Sequence, residues 1–378
     1  MAQLPPGTVV EVRGGHPDLE AHVRGFARTE GHTVVDARAE AGTSVLRLRR
    51  GNVDEWRWGS AIRAGAARGA PDEALAEHPP PAWGPAARGA LVERGGPAFD
   101  FSLADRDEVW ADEAAVLYAQ ACAAQWDPRT AIAWDEPFEI SEEAEAAVVQ
   151  VMTYLVENEN AALVIPARFL GRLHPHFREV AQVLAVQVAD EARHVEVFTR
   201  RALLRGDRMG TSSAGGRASL HTLVAEPEFS LASFMLSVLG EGTFLHLLSF
   251  LQRHGPDPVT RRICQLAYAD EARHVAFGIA HLRRRLGVRP ELRGALAAAV
   301  EHRHDALAAT AGLGDDVFDA LVVLAGGGLE PAQVAVGWDR VQELSREMDA
   351  GRRRRLVALG FGAEDAARLS ALHTRNFM

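Results

Sequence analysis

The chain has 378 residues, 47% hydrophobic and 24% charged, with a formal net charge of −10. That bulk allows one large core and a smaller second unit, and the acidic balance speaks against a nucleic-acid partner. Two cysteines, Cys122 and Cys264, exclude a disulfide framework, so a reducing cytoplasm is the expected compartment. The start, Met1-Ala2-Gln3-Leu4-Pro5-Pro6-Gly7, has no signal-peptide pattern, and no apolar run approaches a membrane span of about 20 residues.

Residues 1–52 differ in pattern from the rest. Thr8 to Arg13 and Thr33 to Ala39 are β-rich, and Ser44 to Arg50 alternates, with Leu46 and Leu48 facing one way. Leu19, Val23, Phe26 and Ala27 predict an amphipathic helix between the first two strands, giving a small β-α-β-β unit. The strings Leu4-Pro5-Pro6-Gly7-Thr8-Val9-Val10-Glu11-Val12 and Gly31-His32-Thr33-Val34-Val35 resemble the later part of a TusA-like sulfurtransferase domain. The family's sulfur-carrying Cys would stand near the first strand, but no Cys precedes Cys122. Docking or dimerisation is therefore expected of this unit rather than persulfide transfer.

From residue 53 to 104 the composition turns to Ala, Gly, Pro and Arg, a linker broken most clearly at Pro79-Pro80-Pro81. Trp56, Trp58 and Trp83 are candidates to cap a helical bundle. Residues 105–378 read as a helical domain. Residues 105–125 predict a helix with Trp110, Ala114, Leu117, Ala121 and Ala124 on one side, expected to pack outside the central bundle. Ser141 is a plausible N-cap for the next helix, with Glu142 and Glu143 in its first turn. Pro166 inside that pattern predicts a kink or an end.

The chemistry is carried by a string that occurs twice. Asp190-Glu191-Ala192-Arg193-His194-Val195 returns as Asp270-Glu271-Ala272-Arg273-His274-Val275, eighty positions later. A Glu and a His three apart share one helix face. Val180, Val183, Leu184 and Phe198 surround the first pair, and Cys264, Ala267 and Val275 accompany the second. A carboxylate in apolar surroundings is costly unless paired or bound to a cation.

Di-metal bundles of this kind add one Glu from each of two further helices. Glu241 is the one carboxylate between Glu228 and Asp257, on a face with Phe234, Val238, Phe244, Leu245 and Leu248. On the helix from Ser141, Glu159 is the core-facing candidate, beside Leu155, Val156, Ala162 and Leu163, with Glu157 as the alternative. Glu159 precedes Glu191 by 32 positions and Glu241 precedes Glu271 by 30, so each half reads as two helices and a reversal. Residues 206–216 read as a flexible connector between the halves, and residues 255–258 as a tight turn. Residues 291–312, 316–324, 331–349 and 352–371 predict further helices, with Arg352 to Arg355 on a solvated face.

The set Glu159, Asp190-Glu191-Ala192-Arg193-His194, Gly240-Glu241-Gly242 and Asp270-Glu271-Ala272-Arg273-His274 resembles the ferritin-like di-iron carboxylate superfamily, in its oxygen-activating, ribonucleotide-reductase-small-subunit-like branch. The resemblance covers roughly residues 141–286. It implies a mainly α fold, a ferritin-like four-helix bundle with extra helices behind the small α/β unit. It also implies Glu159, Glu191, His194, Glu241, Glu271 and His274 as ligands of two iron ions, with manganese or a mixed pair open. Asp190 would orient His274 and Asp270 would orient His194, with Arg193 and Arg273 in the supporting network.

The departures matter as much. Phe198 stands where the reductase subunits carry a radical Tyr, Leu245 where the multicomponent monooxygenases carry Thr, and Ala267 where the arylamine oxygenases add a His. Six ligands for two metals leave positions open for dioxygen. The implied activity is dioxygen activation followed by oxygenation or desaturation of a small organic substrate. An external electron donor is required, since no flavin or iron–sulfur motif is present, and a homodimer is implied. A ferroxidase or a di-manganese catalase would use the same ligands.

Overall fold

The structure, a computed structural model, describes residues 1, 3–51, 58, 60–68, 74–307 and 315–373. It separates into two units: residues 1–101 with 174–176, and residues 102–173 with 177–378.

In the first unit, strand β1 (Val9–Gly14), helix α1 (Leu19–Thr29), β2 (Thr33–Glu40) and β3 (Thr43–Arg49) form an antiparallel sheet in the order β1-β3-β2. Val10 and Val12 face Leu48 and Leu46 across the ladder, and these pack on Val23 and Ala27 of α1. Ala41 and Gly42, with φ of 48° and 80°, make the two-residue reversal from β2 to β3, the left-handed geometry that matches strand twist. Phe26, placed by its spacing on the apolar face of α1, is instead 47% exposed, because Val23 and Ala27 already fill the shallow sheet face. A two-stranded antiparallel sheet, β4 (Ile62–Arg63) with β5 (Leu91–Val92), follows. Trp83 is buried within this unit, its ring 5.1 Å from that of His176. Trp58 is half-buried, and Trp56 lies outside the described residues.

The second unit is helical. Where a single helix was expected over 105–125, there are two short ones, α2 (Arg106–Val109) and α3 (Ala114–Ala123). The break has a local cause: the Trp110 carbonyl accepts from His281 Nδ1 at 3.1 Å, and its indole donates to Asp112 at 2.9 Å, holding the backbone extended there.

Helix α4 (Glu142–Leu170) is capped by Ser141, whose hydroxyl accepts from Ala144 N. Pro166 does not end it. The proline sits within the last turn or so, where one lost helical hydrogen bond, that of the Ala162 carbonyl, is tolerated. α4 pairs with α5 (Arg178–Ala202). The connector at 206–216 is not free: Gly210 N donates to Thr153 and Thr211 N to Gln150, both at 2.8 Å. It leads into an unanticipated helix, α6 (Ala214–Val224), capped by Ser213.

Helix α7 (Phe229–His254) is α-helical to Ser233, π-helical over Phe234–Glu241, and α-helical again from Gly242. It is long and apolar enough to cross a membrane, contrary to the reading of the sequence alone, but 83% of that stretch is buried inside the unit, so it serves as a core helix. α8 (Pro258–Val288) packs beside it, started by Asp257 as N-cap and Pro258 in the first turn. Buried Arg201 of α5 ties the bundle ends together, bonding Glu145 on α4 and Asp257 at the start of α8. α4, α5, α7 and α8 make the ferritin-like four-helix bundle.

Helices α9 (Leu292–Leu307), α10 (Asp315–Gly326), α11 (Pro331–Ala358) and α12 (Ala363–His373) follow. Residues 308–312 of the first predicted element lie outside the described residues. The expected break near 350 does not occur; α11 runs through Arg352–Arg355. Nor is that run simply solvated. Arg352 is 1% exposed and reaches Ser370 at 3.1 Å, while Arg355 donates to the Val238 carbonyl of the π segment at 2.7 Å.

Candidate metal centre

The bundle axis collects Glu159 from α4, Glu191 and His194 from α5, Glu241 from the end of the π segment, and Glu271 and His274 from α8. All six are at most 5% exposed. Their ligand atoms form two groups, each with its atoms within 4.8 Å of one another: Glu159, Glu191, His194 and Glu271, and Glu191, Glu241, Glu271 and His274. Glu191 and Glu271 belong to both. Glu157, one residue pair earlier on α4, is half-buried and in neither group.

The imidazoles turn the same edge inward. His194 Nδ1 lies 3.1 Å from Glu191, 3.3 Å from Glu271 and 3.5 Å from Glu159. His274 Nδ1 lies 3.1 Å from Glu191 and 3.4 Å from Glu271. The outward nitrogens are crossed between the two copies of the repeated string: His194 Nε2 is 3.2 Å from Asp270, and His274 Nε2 is 3.3 Å from Asp190. An N–H given to a carboxylate leaves Nδ1 as the lone-pair donor, the tautomer a metal needs. Arg193 bonds both Asp190 and Asp270, at 3.0 Å to the latter, and Arg273 bonds Asp270.

The electrostatics are those of a site built for cations. Burial, reinforced by Glu191 and Glu271, drives the Glu159 carboxyl well above its ordinary range. Burial and Glu271 do the same to Glu241. Burial also opposes the charge on Glu191, but His274 and His194 outweigh it and hold that carboxylate low. His194 and His274 resist burial in turn: the carboxylates facing them raise both well above the usual imidazole value. Protons thus stand in for positive charge. Glu159 Oε1 and Glu241 Oε2 are buried with no hydrogen-bond partner, and Glu191 Oε1, Glu271 Oε2 and His274 Nδ1 face one another at 3.1–3.4 Å without hydrogen-bond geometry. Groups so costly to orphan fit two divalent cations, whose charge four carboxylates balance.

Three participants escaped the sequence reading. Gln125 donates to Asp190 at 3.0 Å and accepts from Arg193, and the Trp126 indole donates to Asp270 at 2.8 Å. Both follow α3 in irregular chain, where no periodicity marks them, so a segment that packs on α5 and α8 from outside also supports the bundle's histidines. Gln187 donates to Glu241 at 2.9 Å. One signal did exist for it: it is a polar residue one turn before Glu191 on a face otherwise made by Val180, Val183 and Leu184.

Gln187, the partner of Glu241, also lines a small cavity of about 20 Å³, room for roughly one water, with Pro166, Phe169, Phe229, Phe277 and Ser237. A Cβ on Gly278 would come within 2.6 Å of Ser237, so glycine there lets α8 approach the π segment closely.

No protein-family description and no curated protein matches the chain. Similar solved structures include R2-like ligand-binding oxidases. One has a metal cofactor aerobically reconstituted and photoconverted (16% identity, TM-score 0.45, 69% of this chain and 90% of that one). A mutant carries an aerobically reconstituted Mn/Fe cofactor (16%, 0.46, 62% and 92%). Another comes from Sulfolobus acidocaldarius (16%, 0.41, 66% and 92%). At this distance the likeness transfers no chemistry, and the side-chain geometry alone carries the reading.

Proposed function

We propose that the chain is a di-metal oxidoreductase that holds two iron ions, or a manganese and an iron, between Glu159, Glu191, His194, Glu241, Glu271 and His274. It uses them with dioxygen to oxygenate or desaturate a small, largely apolar molecule. The observation that carries the proposal is the pair of overlapping buried ligand groups, which share Glu191 and Glu271 and end in His194 on one side and His274 on the other.

When bound, the metal pair supplies electrons to dioxygen and Lewis acidity to its products. Glu191 and Glu271, which belong to both groups, would serve as ligands to both ions. Asp190 and Asp270 keep the imidazoles in the ligating tautomer. Phe169, Phe229 and Phe277 exclude water, and must part to admit a substrate. In either outcome two electrons and two protons enter from outside: in oxygenation one oxygen atom joins the substrate and one leaves as water, and in desaturation both leave as water. The proposal therefore includes an external electron donor, a protein or a small reductant. It also includes a cytoplasmic homodimer in which the N-terminal unit, resembling a TusA-like domain without its Cys, serves docking or dimerisation.

The test is anaerobic loading with ferrous iron, a count of metal per chain, then dioxygen uptake in the presence of apolar candidate substrates, with products read by mass. Two irons per chain and uptake coupled to a product gaining oxygen or losing two hydrogens support the proposal. Iron accumulating beyond two per chain, with no organic product, would replace it with ferroxidase activity.

A further inference from the structure

The two outer carboxylates of the centre are not equivalent. Glu159 Oε1 is buried without a partner, and its Oε2 faces His194 Nδ1 in the space between the ligands. Glu159 thus offers both oxygens inward. Glu241 does not: its Oε1 accepts from Gln187 Nε2 at 2.9 Å in a fully buried bond, and Oε2 alone is orphaned. Ser237, one turn before Glu241 in the chain, lines the same cavity as Gln187. The carboxylate that is restrained is therefore the one whose restraining side chain, Gln187, also lines the cavity.

Resting on the di-metal reading above, we propose that Gln187 is a positioning residue. It reserves one oxygen of Glu241, so that Glu241 binds its metal through the other oxygen alone. The position so freed, in the group of Glu191, Glu241, Glu271 and His274, is the one at which a small exogenous ligand enters from the cavity side. A carboxylate with both oxygens free can close around one cation; one with an oxygen held by an amide donor cannot do so without breaking that bond. The cavity supplies the reason for the restraint, because an open position is of use only where something can reach it.

Cobalt(II) and azide provide the probes, read by visible absorption independently of turnover. The full-length protein is loaded with cobalt, the metal is counted, and azide is titrated. The expected result is two cobalt ions per chain in both wild type and Gln187→Met, with azide affinity lower by about tenfold or more in the variant and a changed cobalt spectrum. Gln187→Asn, whose amide is one methylene too short, should behave alike and serves if the Met variant does not fold. Unchanged azide affinity and spectrum in a variant holding two cobalt ions would overturn the proposal. So would loss of one cobalt from the variant, which would make Gln187 part of metal retention instead. Fewer than two cobalt ions on the wild type would remove the di-metal reading itself, and this inference with it.

Discussion

Glu191 and Glu271 each face both groups of ligand atoms, whereas Glu159 and Glu241 face one apiece. That difference separates two substitutions that look alike in the sequence. Glu191→Ala should abolish loading of both metals, while Glu159→Ala should leave the half built on Glu241 and His274 able to retain one; metal analysis after gel filtration distinguishes them. Equal losses in the two variants would mean that the shared position of Glu191 is not what holds the pair. Protons offer a second handle. Burial lowers the affinity of His194 and His274 for protons, but the facing carboxylates outweigh it and raise both groups. Glu159 and Glu241 are raised as well, first by burial and then by neighbouring carboxylates. A group whose pKa is raised on folding stabilises the fold fully below its unfolded pKa and loses that contribution as pH rises through the folded one. Glu191, held low, acts in the opposite sense, losing its contribution only in acid. The metal-free protein should thus weaken above neutrality, just where cations freed from proton competition bind more tightly. The melting-temperature gap between manganese-loaded and chelator-treated protein should widen from about pH 6 to about pH 8; a gap that stays constant would place the cation away from these groups.

Among the elements, α7 joins the site to the rest of the fold through its π segment. A π turn takes in an extra residue and so re-aims the side chains after it, which is why such segments cluster at functional sites. Here it ends on Glu241. Arg355 of α11 donates to the Val238 carbonyl within it, and a Cβ on the following Gly242 would overlap the same guanidinium. Burial, with Arg352 and Arg354 nearby, brings Arg355 down to about 9, as expected of a half-buried guanidinium beside two others. Arg355→Leu should destabilise by about 1–3 kcal/mol, since it strands a buried carbonyl, and Gly242→Ala should act in the same direction; denaturant melts of both variants measure it. Full stability in Arg355→Leu would show that the π segment holds itself. The same helices show what the sequence could and could not yield. The Glu-x-x-His pairs were legible because the spacing places charge on an apolar face and the string occurs twice. Glu159 was preferred to Glu157 for its more apolar neighbours, and it is Glu159 that is buried and Glu157 that is half-buried, although Thr153, Tyr154 and Ala161 beside Glu157 are buried too. The Arg352–Arg355 run was misread because composition cannot tell a solvated cluster from one in which two members turn inward to carbonyl and hydroxyl acceptors. The break at Trp110 depends on His281, 171 residues away, and the π geometry has no period that a helical pattern reveals. Trp126 and Gln125 lie in irregular chain that only tertiary contact gives a role.

At the scale of the whole molecule, every residue placed at the centre belongs to one of the two compact units, the one from Ser102 onward apart from residues 174–176. The other has its own small core, Val23, Ala27, Leu46 and Leu48 under a three-stranded sheet. A ligand that binds only the folded form stabilises what it binds by an amount set by its concentration over its dissociation constant. Units with separate cores need not melt together, since two-state behaviour belongs to single domains. Calorimetry should therefore resolve two transitions, and added manganese or ferrous iron should raise the temperature of only one of them, the transition of the helical unit. Assignment follows from Glu191→Ala, in which the metal-dependent shift should vanish while the metal-independent transition keeps its place. If both transitions move together on metal addition, the sheet unit is cooperatively locked to the bundle. A docking role for it would then have to operate through the metal-bearing helices rather than beside them.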